Sequence, residues 1–422
     1  MTLNNEVPNI DEILGERIKT GLMKVLKSQS SLDNIKLSFE PGSKKGANFM
    51  GEIYRIFYED ANDSENKSQT SSLILKMAPR NLMRREKLRS RHIFLREIDM
   101  YDKVLSYFHG FQLSKGVDPK ENGFNEYPKC YSSISDDLSE SLFLEDLLRR
   151  KFEMIDVRKE PVTFDHMSLM LKALGKFHAV SFALKDQQPE KFKELANLAF
   201  EQYWTMIDSG YSSFYLDALK RLTDILEMEK RSDLLEKFNN AAGRDHFSNI
   251  LRMISSEAAE PYAVICHGDL TTNNTMFCKD EQGKPIEIQL FDFQFTRYAS
   301  PVIDLILYLF CSISTELRNQ HYEEFLRIYH ESLSDLVRRL GSDPQTLFPF
   351  ERVLDQLRKI GVYSIYVGAL LLPILGSDPD KLPDIDNEAS NKNCFQVAAE
   401  SRKAYNQKVI DMFDDLARFQ YI

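Results

Sequence analysis

The stretch HGDLTTNN, residues 267–274, decides which fold this chain can adopt. It follows a short apolar run, AVIC at 263–266, and it precedes a second one, IQLFDF at 288–293. Short apolar runs bounded by turn residues are typical of buried strands. We therefore predict a polar loop between two strands. We also expect Asp292 to lie on the second strand, paired with residues 276–278 through the turn at DEQGKP.

The spacing inside this loop indicates a chemistry. Asn274 follows Asp269 by five positions, and His267 precedes it by two, as in the H-x-D-x-x-x-x-N catalytic loop of kinases. In such a loop Asp269 receives the proton of a substrate hydroxyl and holds that hydroxyl in line for attack. Asn274 turns an oxygen toward magnesium, and His267 braces the loop.

Asp292, in FDFQ, supplies a second carboxylate. Magnesium prefers oxygen ligands and is usually held by one or two protein groups together with ATP phosphates and water. Asn274 and Asp292 form that minimal set. Either motif alone would more often be an ordinary turn, but their order and the flanking strands favour a metal site.

A kinase also needs a cation on the ATP phosphates. Lys76, in LILKM, ends a predicted strand and is our candidate. Its expected partner is an acid on the next helix, and Glu97 follows 21 positions later. Glu86 is the alternative partner.

The segment GSKKGAN, residues 42–48, lies between the first two predicted strands. Its backbone N–H groups, including those of Gly46 and Asn48, could cover the ATP phosphates. Because the segment is not a G-x-G-x-x-G, an ordinary hairpin loop is an equally good interpretation.

The pattern along the chain predicts an α+β, bilobal, protein-kinase-like fold. Residues 1–144 form a β-rich lobe, and residues 145–422 form a mainly helical lobe, with a linker near 147–160. The predicted strands of the first lobe lie at 37–40, 53–58, 72–77, 129–133 and 141–144, with helices at 10–26 and about 91–108. The later helices are predicted at 164–184, 191–208, 211–228, 246–257, 302–338, 350–371 and 396–418.

Composition excludes several classes of protein. A formal charge of −10 and a pI near 5.5 disfavour general binding to nucleic acid or to anionic membranes. The five scattered cysteines form no CxxC pair, so neither a disulfide framework nor a zinc site is indicated. The N-terminus lacks the apolar core of a secretory signal, and the apolar stretch 361–375 is too short to span a bilayer. We expect a cytoplasmic monomer.

With these motifs identified, the chain resembles the ecdysteroid kinase-like family of arthropods, relatives of choline and aminoglycoside kinases. The resemblance covers most of the chain, and the block at 291–310 is the most specific part of it. The segments that carry it are PGSKKGANFMGEIYRI (41–56), LILKMAP (73–79), FLREIDMYDKVL (94–105), YPKCY (127–131), LFLEDL (142–147), LGKFHAVSFAL (174–184), HGDLTTNNTMF (267–277) and FDFQFTRYASPVIDLILYLF (291–310).

The resemblance implies an aminoglycoside-phosphotransferase-like fold that uses ATP and Mg²⁺ to phosphorylate a secondary alcohol, such as a steroid hydroxyl. It assigns Asp269 as the base, Asn274 and Asp292 as metal ligands, and Lys76 as the phosphate anchor. It places Glu145 and Leu147 in the hinge that holds adenine.

The resemblance also makes Asp304 a brace of the catalytic loop. Thr271 departs from the tryptophan that usually follows HGDL in the family, which puts the packing of the acceptor in question.

Two alternatives stay open. A choline- or aminoglycoside-type kinase would need acids and aromatics around a cationic acceptor, and residues 203, 204, 208 and 211 could supply them. A pseudokinase or ligand-binding protein would keep the fold without turnover.

Overall fold

The computed structural model describes residues 10–29, 34–42, 51–60, 71–87, 89–201, 212–375 and 401–422. The predicted phosphate-covering residues Gly46 and Asn48 lie outside these ranges. The candidate acceptor residues 203, 204, 208 and 211 also lie outside them.

The first lobe is built on a five-stranded antiparallel sheet in the order β1-β2-β3-β5-β4. All five predicted strands are confirmed, with ends that shift by a few residues. Their bounds are β1 Ile35–Pro41, β2 Glu52–Asp60, β3 Ser71–Met77, β4 Cys130–Ile134 and β5 Ser141–Glu145. The predicted lobe boundary at 144 falls one residue before the end of β5.

The two faces of this sheet differ in what they contact. Successive side chains of a strand point to opposite faces, so Lys76 shares a face with Ile74, while Leu73, Leu75 and Met77 share the other. On that second face α1 (Ile10–Gln29) covers the sheet and forms a small separate core with it. The prediction of a helix at 10–26 is confirmed, with a bend at Gly15, where φ is 65°.

The predicted helical segment 91–108 is present in three pieces. They are α3 (Ser90–Asp99), a π-helical turn at Met100–Leu105, and α4 (Ser106–Ser114), and the short α2 (Leu82–Lys87) precedes them. This stretch faces the side of the sheet that carries Lys76, since Glu97 pairs with that residue, and its apolar residues join the main core.

The second lobe is mainly helical, with α5 and the later α12 packed along each other at its centre. Its helices are α5 Phe164–Gln187, α6 Pro189–Ala196, α7 Ser212–Met228, α8 Ser232–Ala242, α9 His246–Ile254, α10 Ser256–Ala259, α11 Val302–Leu307, α12 Thr315–Arg339, α13 Pro344–Leu347, α14 Phe350–Ile360, α15 Tyr363–Leu375 and α16 Arg402–Arg418.

Four predicted helices were wrong in extent. In the described part of the segment 191–208, the α-helix ends at Ala196, a 3₁₀ turn follows at Asn197–Ala199, and Phe200 is extended. The segment 302–338 is interrupted, because α11 ends in a π-turn at Tyr308–Ser312 and Ser314 caps the start of α12 by accepting the N–H of Leu317. The segment 246–257 breaks at Ser255, which caps α10 in the same way.

The segment 350–371 divides into α14 and α15, and the helical stretch 344–360 makes an angle of 71° with α15. Within the ranges described above, no single helix is long and apolar enough to cross a membrane, and only this bent pair passes such a test by composition.

Two small sheets hold the predicted catalytic region. One has the order β6-β8-β9 (Phe152–Glu153, Thr275–Lys279, Pro285–Leu290), and the other pairs β7 (Val264–Cys266) with β10 (Arg297–Ala299). The predicted linker at 147–160 was therefore only partly right, since it contains a 3₁₀ turn and the strand β6, which pairs with β8.

Candidate active site

The predicted catalytic loop, residues 267–274, runs from the end of β7 at Cys266 to the start of β8 at Thr275. Gly268 adopts a φ of 83°, which is the left-handed region that favours glycine. A Cβ atom there would also overlap the carbonyl oxygen of Phe295. The loop therefore needs glycine between His267 and Asp269.

Asp304 fixes the backbone of this loop through two hydrogen bonds. Its two carboxylate oxygens accept the backbone N–H groups of His267 and Gly268, each at 2.8 Å. His178 on α5 lies 3.2 Å from one of these oxygens through Nε2, and its Nδ1 lies 2.8 Å from the Tyr329 hydroxyl. All of these groups are buried, so α5, α11 and α12 together set the position of the loop.

His267 is placed to brace the loop, as its predicted role requires. Its Nε2 lies 3.0 Å from the Phe291 carbonyl oxygen, and the N–H of Asp269 donates to its Nδ1 at 3.4 Å. This arrangement matches a neutral ring that donates through Nε2. Burial lowers the pKa of His267, which agrees with the neutral form.

Asp269 and Asn274 contact each other directly. The Asn274 amide nitrogen donates to the Asp269 carbonyl oxygen at 2.7 Å and to its carboxylate at 2.9 Å. The amide oxygen of Asn274 is therefore the atom left for a metal. Burial and the nearby Asp292 carboxylate raise the pKa of Asp269 to about 7, a value suited to a group that takes up and releases a proton near neutral pH.

Lys76 reaches two carboxylates at once. Its Nζ lies 2.6 Å from Glu97 on α3 and 2.7 Å from Asp292. The predicted pairing with Glu97 is thus present, and Glu86, the alternative, lies exposed on α2. Burial lowers the pKa of Lys76, but the two carboxylates outweigh it and hold that pKa above its usual value. Burial raises the pKa of the Glu97 carboxyl, and the ammonium opposes that shift.

Asp292 does not lie on a strand, which corrects the prediction. β9 ends at Leu290, and Asp292 adopts left-handed backbone angles (φ 68°, ψ 59°) at the start of a 3₁₀ turn. This turn points the carboxylate toward Lys76, whereas an extended strand would have continued along the sheet.

The residue after Asp292 links the lobes. The ring of Phe293 lies 4.7 Å from that of His267 and 5.8 Å, edge-on, from that of Tyr101 in the π-turn after α3. Aromatic contacts of this kind add to the energy of burial. The position of α3, which carries Glu97, is therefore coupled to the catalytic loop.

The predicted hinge follows β5. Glu145 is the last residue of that strand, and its N–H donates to the Lys129 carbonyl at 2.8 Å. Leu147 is buried at the start of a 3₁₀ turn. The contact of Glu145 and Leu147 with adenine stays a prediction.

Sequence reasoning missed Asp146, which lies between the two hinge residues. It is buried and accepts the Ser72 hydroxyl at 2.5 Å and the N–H of Leu148 at 3.2 Å. It also forms an ion pair with Arg55, whose Nε lies 3.0 Å from its carboxylate. Its position before LLRR is typical of a helix cap. The cap could have been foreseen from that position, but the contacts with β2 and β3 could not.

The local sequence also offers no sign that His178 belongs to the site, since this residue lies in the segment LGKFHAVSFAL, which carries only the family resemblance. A histidine on an apolar helix is usually a core residue, and only the fold brings it to Asp304.

The described site fits magnesium and a nucleotide in its chemistry. Asn274 and Asp292 supply the oxygen donors that Mg²⁺ prefers. Lys76 supplies a cation beside them. Gln294 donates to Asp292 at 3.2 Å, and its buried side-chain oxygen has no hydrogen-bond partner among the described residues.

Comparison with known proteins identifies the family. Residues 45–342 match the ecdysteroid kinase-like family, a span that covers more than half of the chain and contains Lys76, Glu97, Asp269, Asn274 and Asp292. No curated protein matches the chain. On this match, and with the fold described above, the chain belongs to the ecdysteroid kinase-like family.

Proposed function

We propose that this protein is an ATP- and Mg²⁺-dependent small-molecule kinase that phosphorylates a hydroxyl group of an ecdysteroid or of a similar steroid or xenobiotic alcohol. The observation that carries this proposal is the convergence of Lys76, Asp269, Asn274 and Asp292. Family membership supports a phosphotransferase in general, and the acceptor class is the finer part of the proposal.

In this proposal each side chain has a separate task. ATP would supply the phosphoryl group, and a magnesium ion held by these residues would neutralise the charge on the phosphate oxygens. Lys76, held by Glu97, binds phosphate oxygens, while the amide oxygen of Asn274 and the carboxylate of Asp292 are placed for the metal.

Asp269 orients the acceptor. It is partly buried and hydrogen-bonded to Asn274, so its carboxylate has a defined direction. In its ionised form it would accept the hydrogen bond of the substrate hydroxyl and take its proton as the new O–P bond forms. The bond between the γ-phosphorus and the bridging oxygen of ATP breaks in the same step, and ADP leaves. His267 acts indirectly, because it contacts the backbone of the loop and of the Phe291 segment.

ATP consumption by the purified protein tests the proposal. We would supply magnesium and screen ecdysteroids, sterol glycosides, choline and aminoglycosides as acceptors. Asp269→Asn should lower turnover by roughly 10²- to 10⁴-fold while ATP still binds. Asp292→Ala should remove the magnesium dependence of ATP binding, since a metal ligand is lost.

The outcomes separate the candidate functions. Turnover of a steroid that is lost in Asp269→Asn would support the proposal, and turnover of choline or an aminoglycoside would replace its acceptor class. ATP binding without turnover of any acceptor would favour a pseudokinase, and near-wild-type turnover of Asp269→Asn would remove Asp269 as the base.

A further inference from the structure

Arg96, next to Glu97 on α3, is a buried cation that the proposed reaction does not use. Its side chain is almost fully buried, with a relative exposure of 4%. Nη1 donates to the Thr296 carbonyl oxygen at 3.3 Å, and the guanidinium carbon lies 5.3 Å from the centre of the Phe200 ring. Arg96 therefore lies where α3 meets the segment just before β10.

The guanidinium has unused donors. Nε and Nη2 of Arg96 are buried and have no hydrogen-bond partner among the described residues. A buried charge is costly unless it is paired and hydrogen-bonded. One long bond to a carbonyl and one ring do not provide that compensation.

The nearby charged groups compensate the Arg96 guanidinium only in part. The neighbouring Arg297 is also buried, and its Nη1 lies 3.1 Å from a carboxylate oxygen of Glu201. Burial lowers the pKa of Arg96 to about 10, the Glu201 carboxylate opposes this shift, and Arg297 adds to it. Arg96 is thus charged at neutral pH, and Glu201, the carboxylate that favours its charged form, is shared with Arg297.

We propose that Arg96 binds an anionic group, a sulfate, phosphate or carboxylate, at the junction of α3 and β10. The free Nε and Nη2 atoms have the fork geometry that pairs with two oxygens of such a group. Phe200, whose ring lies against the guanidinium, is itself 53% exposed, so a small anion would displace a ring that is not part of the buried core. The site goes beyond phosphoryl transfer and does not depend on it.

An anion at this site would act on the catalytic arrangement through two short connections. On one side Arg96 adjoins Glu97, which holds Lys76. On the other side the Arg297 Nη2 donates to the Gly268 carbonyl oxygen at 3.4 Å. The bound anion would therefore hold α3 against the catalytic loop.

The anion could be free in solution, or it could be an acidic group carried by a larger ligand. Inorganic sulfate tests the first source. A sulfate-conjugated steroid, compared with its unconjugated parent, tests the second. Stronger binding of the conjugate than of both sulfate and the parent would assign the site to a ligand-borne group, whereas binding no stronger than that of sulfate would assign it to a free anion.

The experiment is titration calorimetry with sulfate at constant ionic strength on the full chain. Arg96→Met removes the charge and keeps the length of the side chain, and Arg96→Lys keeps the charge without the fork in case the first variant folds poorly. Lys103→Gln is the matched control, because Lys103 is an exposed cation in the following turn that pairs with Asp99. Repeating the titration with a saturating magnesium complex of a non-hydrolysable ATP analogue separates this site from the ATP phosphate site.

We expect sulfate to bind the wild type and Lys103→Gln alike, with and without the nucleotide analogue. We expect at least about tenfold weaker binding to Arg96→Met, from the loss of charged hydrogen bonds, and an intermediate affinity for Arg96→Lys. No sulfate binding to the wild type, an affinity of both Arg96 variants within about twofold of it, or displacement of the sulfate by the analogue would overturn the site. Each of these results is independent of whether the protein turns over ATP.

Discussion

Asp304 beneath the catalytic loop and Arg96 beside it are both buried charges, but their surroundings differ. Asp304 receives two backbone N–H groups and His178, and each of its oxygens has a partner. Arg96 has one carbonyl at 3.3 Å and two nitrogens without a hydrogen-bond partner among the described residues. The protein therefore supplies partners for both oxygens of Asp304, whereas the described residues leave two nitrogens of Arg96 without one.

This difference distinguishes a buried charge that stabilises the fold from one that is available to bind a ligand. A satisfied buried polar group stabilises one arrangement of the chain, while an unsatisfied one raises the energy of the folded state until a partner arrives. The same contrast recurs in two tyrosines. The Tyr329 hydroxyl bonds His178, whereas the buried Tyr101 hydroxyl has no hydrogen-bond partner among the described residues.

The largest effect is expected from Asp304→Asn. The amide keeps one acceptor oxygen but places an NH₂ group against a backbone N–H, so a buried network loses its charge and one of its bonds. We expect the free energy of unfolding at pH 7 to fall by about 3–5 kcal/mol. Chemical denaturation with a fluorescence readout would measure it, and a loss under about 1 kcal/mol would break the comparison.

The pH dependence sharpens this prediction. Burial alone would raise the pKa of Asp304, but the hydrogen bond from His178 and the backbone donors hold it below its usual value. Stability from this carboxylate is therefore present above the pKa of the unfolded chain, about 3.9, and is lost as the pH falls below it. The difference between wild type and Asp304→Asn should be constant near neutrality and shrink below about pH 4.

A smaller effect is expected at the hinge. Asp146 is satisfied by the protein, like Asp304, but two of its partners, Ser72 and Arg55, lie on neighbouring strands of the sheet. Asp146→Asn should cost about 2 kcal/mol of unfolding free energy. If the contacts also position the hinge, the affinity for ATP should fall as well. Glu59→Gln, at the exposed pair with Lys36, is the control, and it should change neither quantity.

The smallest effects are expected from the two tyrosines. The test there is the sign of the change in unfolding free energy, which should differ between the two variants. Tyr329→Phe leaves the His178 nitrogen without its partner and should lower the unfolding free energy by about 0.5–1.5 kcal/mol. Tyr101→Phe removes an unsatisfied hydroxyl and should leave stability unchanged or raise it by up to about 1 kcal/mol. Equal losses in the two variants, measured by thermal and chemical unfolding, would show that Tyr101 has a partner after all.

Much of the site could be predicted from local spacing. Asp269 and Asn274 belong to one loop, and Lys76 and Glu97 belong to a strand and the helix after it, so their relation depends on few intervening elements. The structure brings each pair together at hydrogen-bonding distance. The five strands of the first lobe were also predictable, since their apolar runs are bounded by turn residues.

The errors have physical causes too. The long helices predicted at 302–338 and 350–371 have continuous helical patterns, but a capping serine and a sharp bend interrupt them. Asp292 was predicted on a strand because its neighbours are apolar. A left-handed backbone conformation is uncommon for residues other than glycine, and although aspartate adopts it more often than most, the sequence does not predict it here. The contact of Asp292 with Lys76 and the burial of Phe293 support it.

The amino-acid sequence alone determines the inventory of this site, because a loop of eight residues and a strand–helix pair carry their chemistry at short range. Only the tertiary structure decides which buried charged groups are fully hydrogen-bonded by the protein and which keep unpaired donors. Asp304 meets His178 across 126 positions, and Arg96 meets Thr296 across 200. Such contacts depend on how whole helices and sheets pack, and no local pattern of residues specifies them.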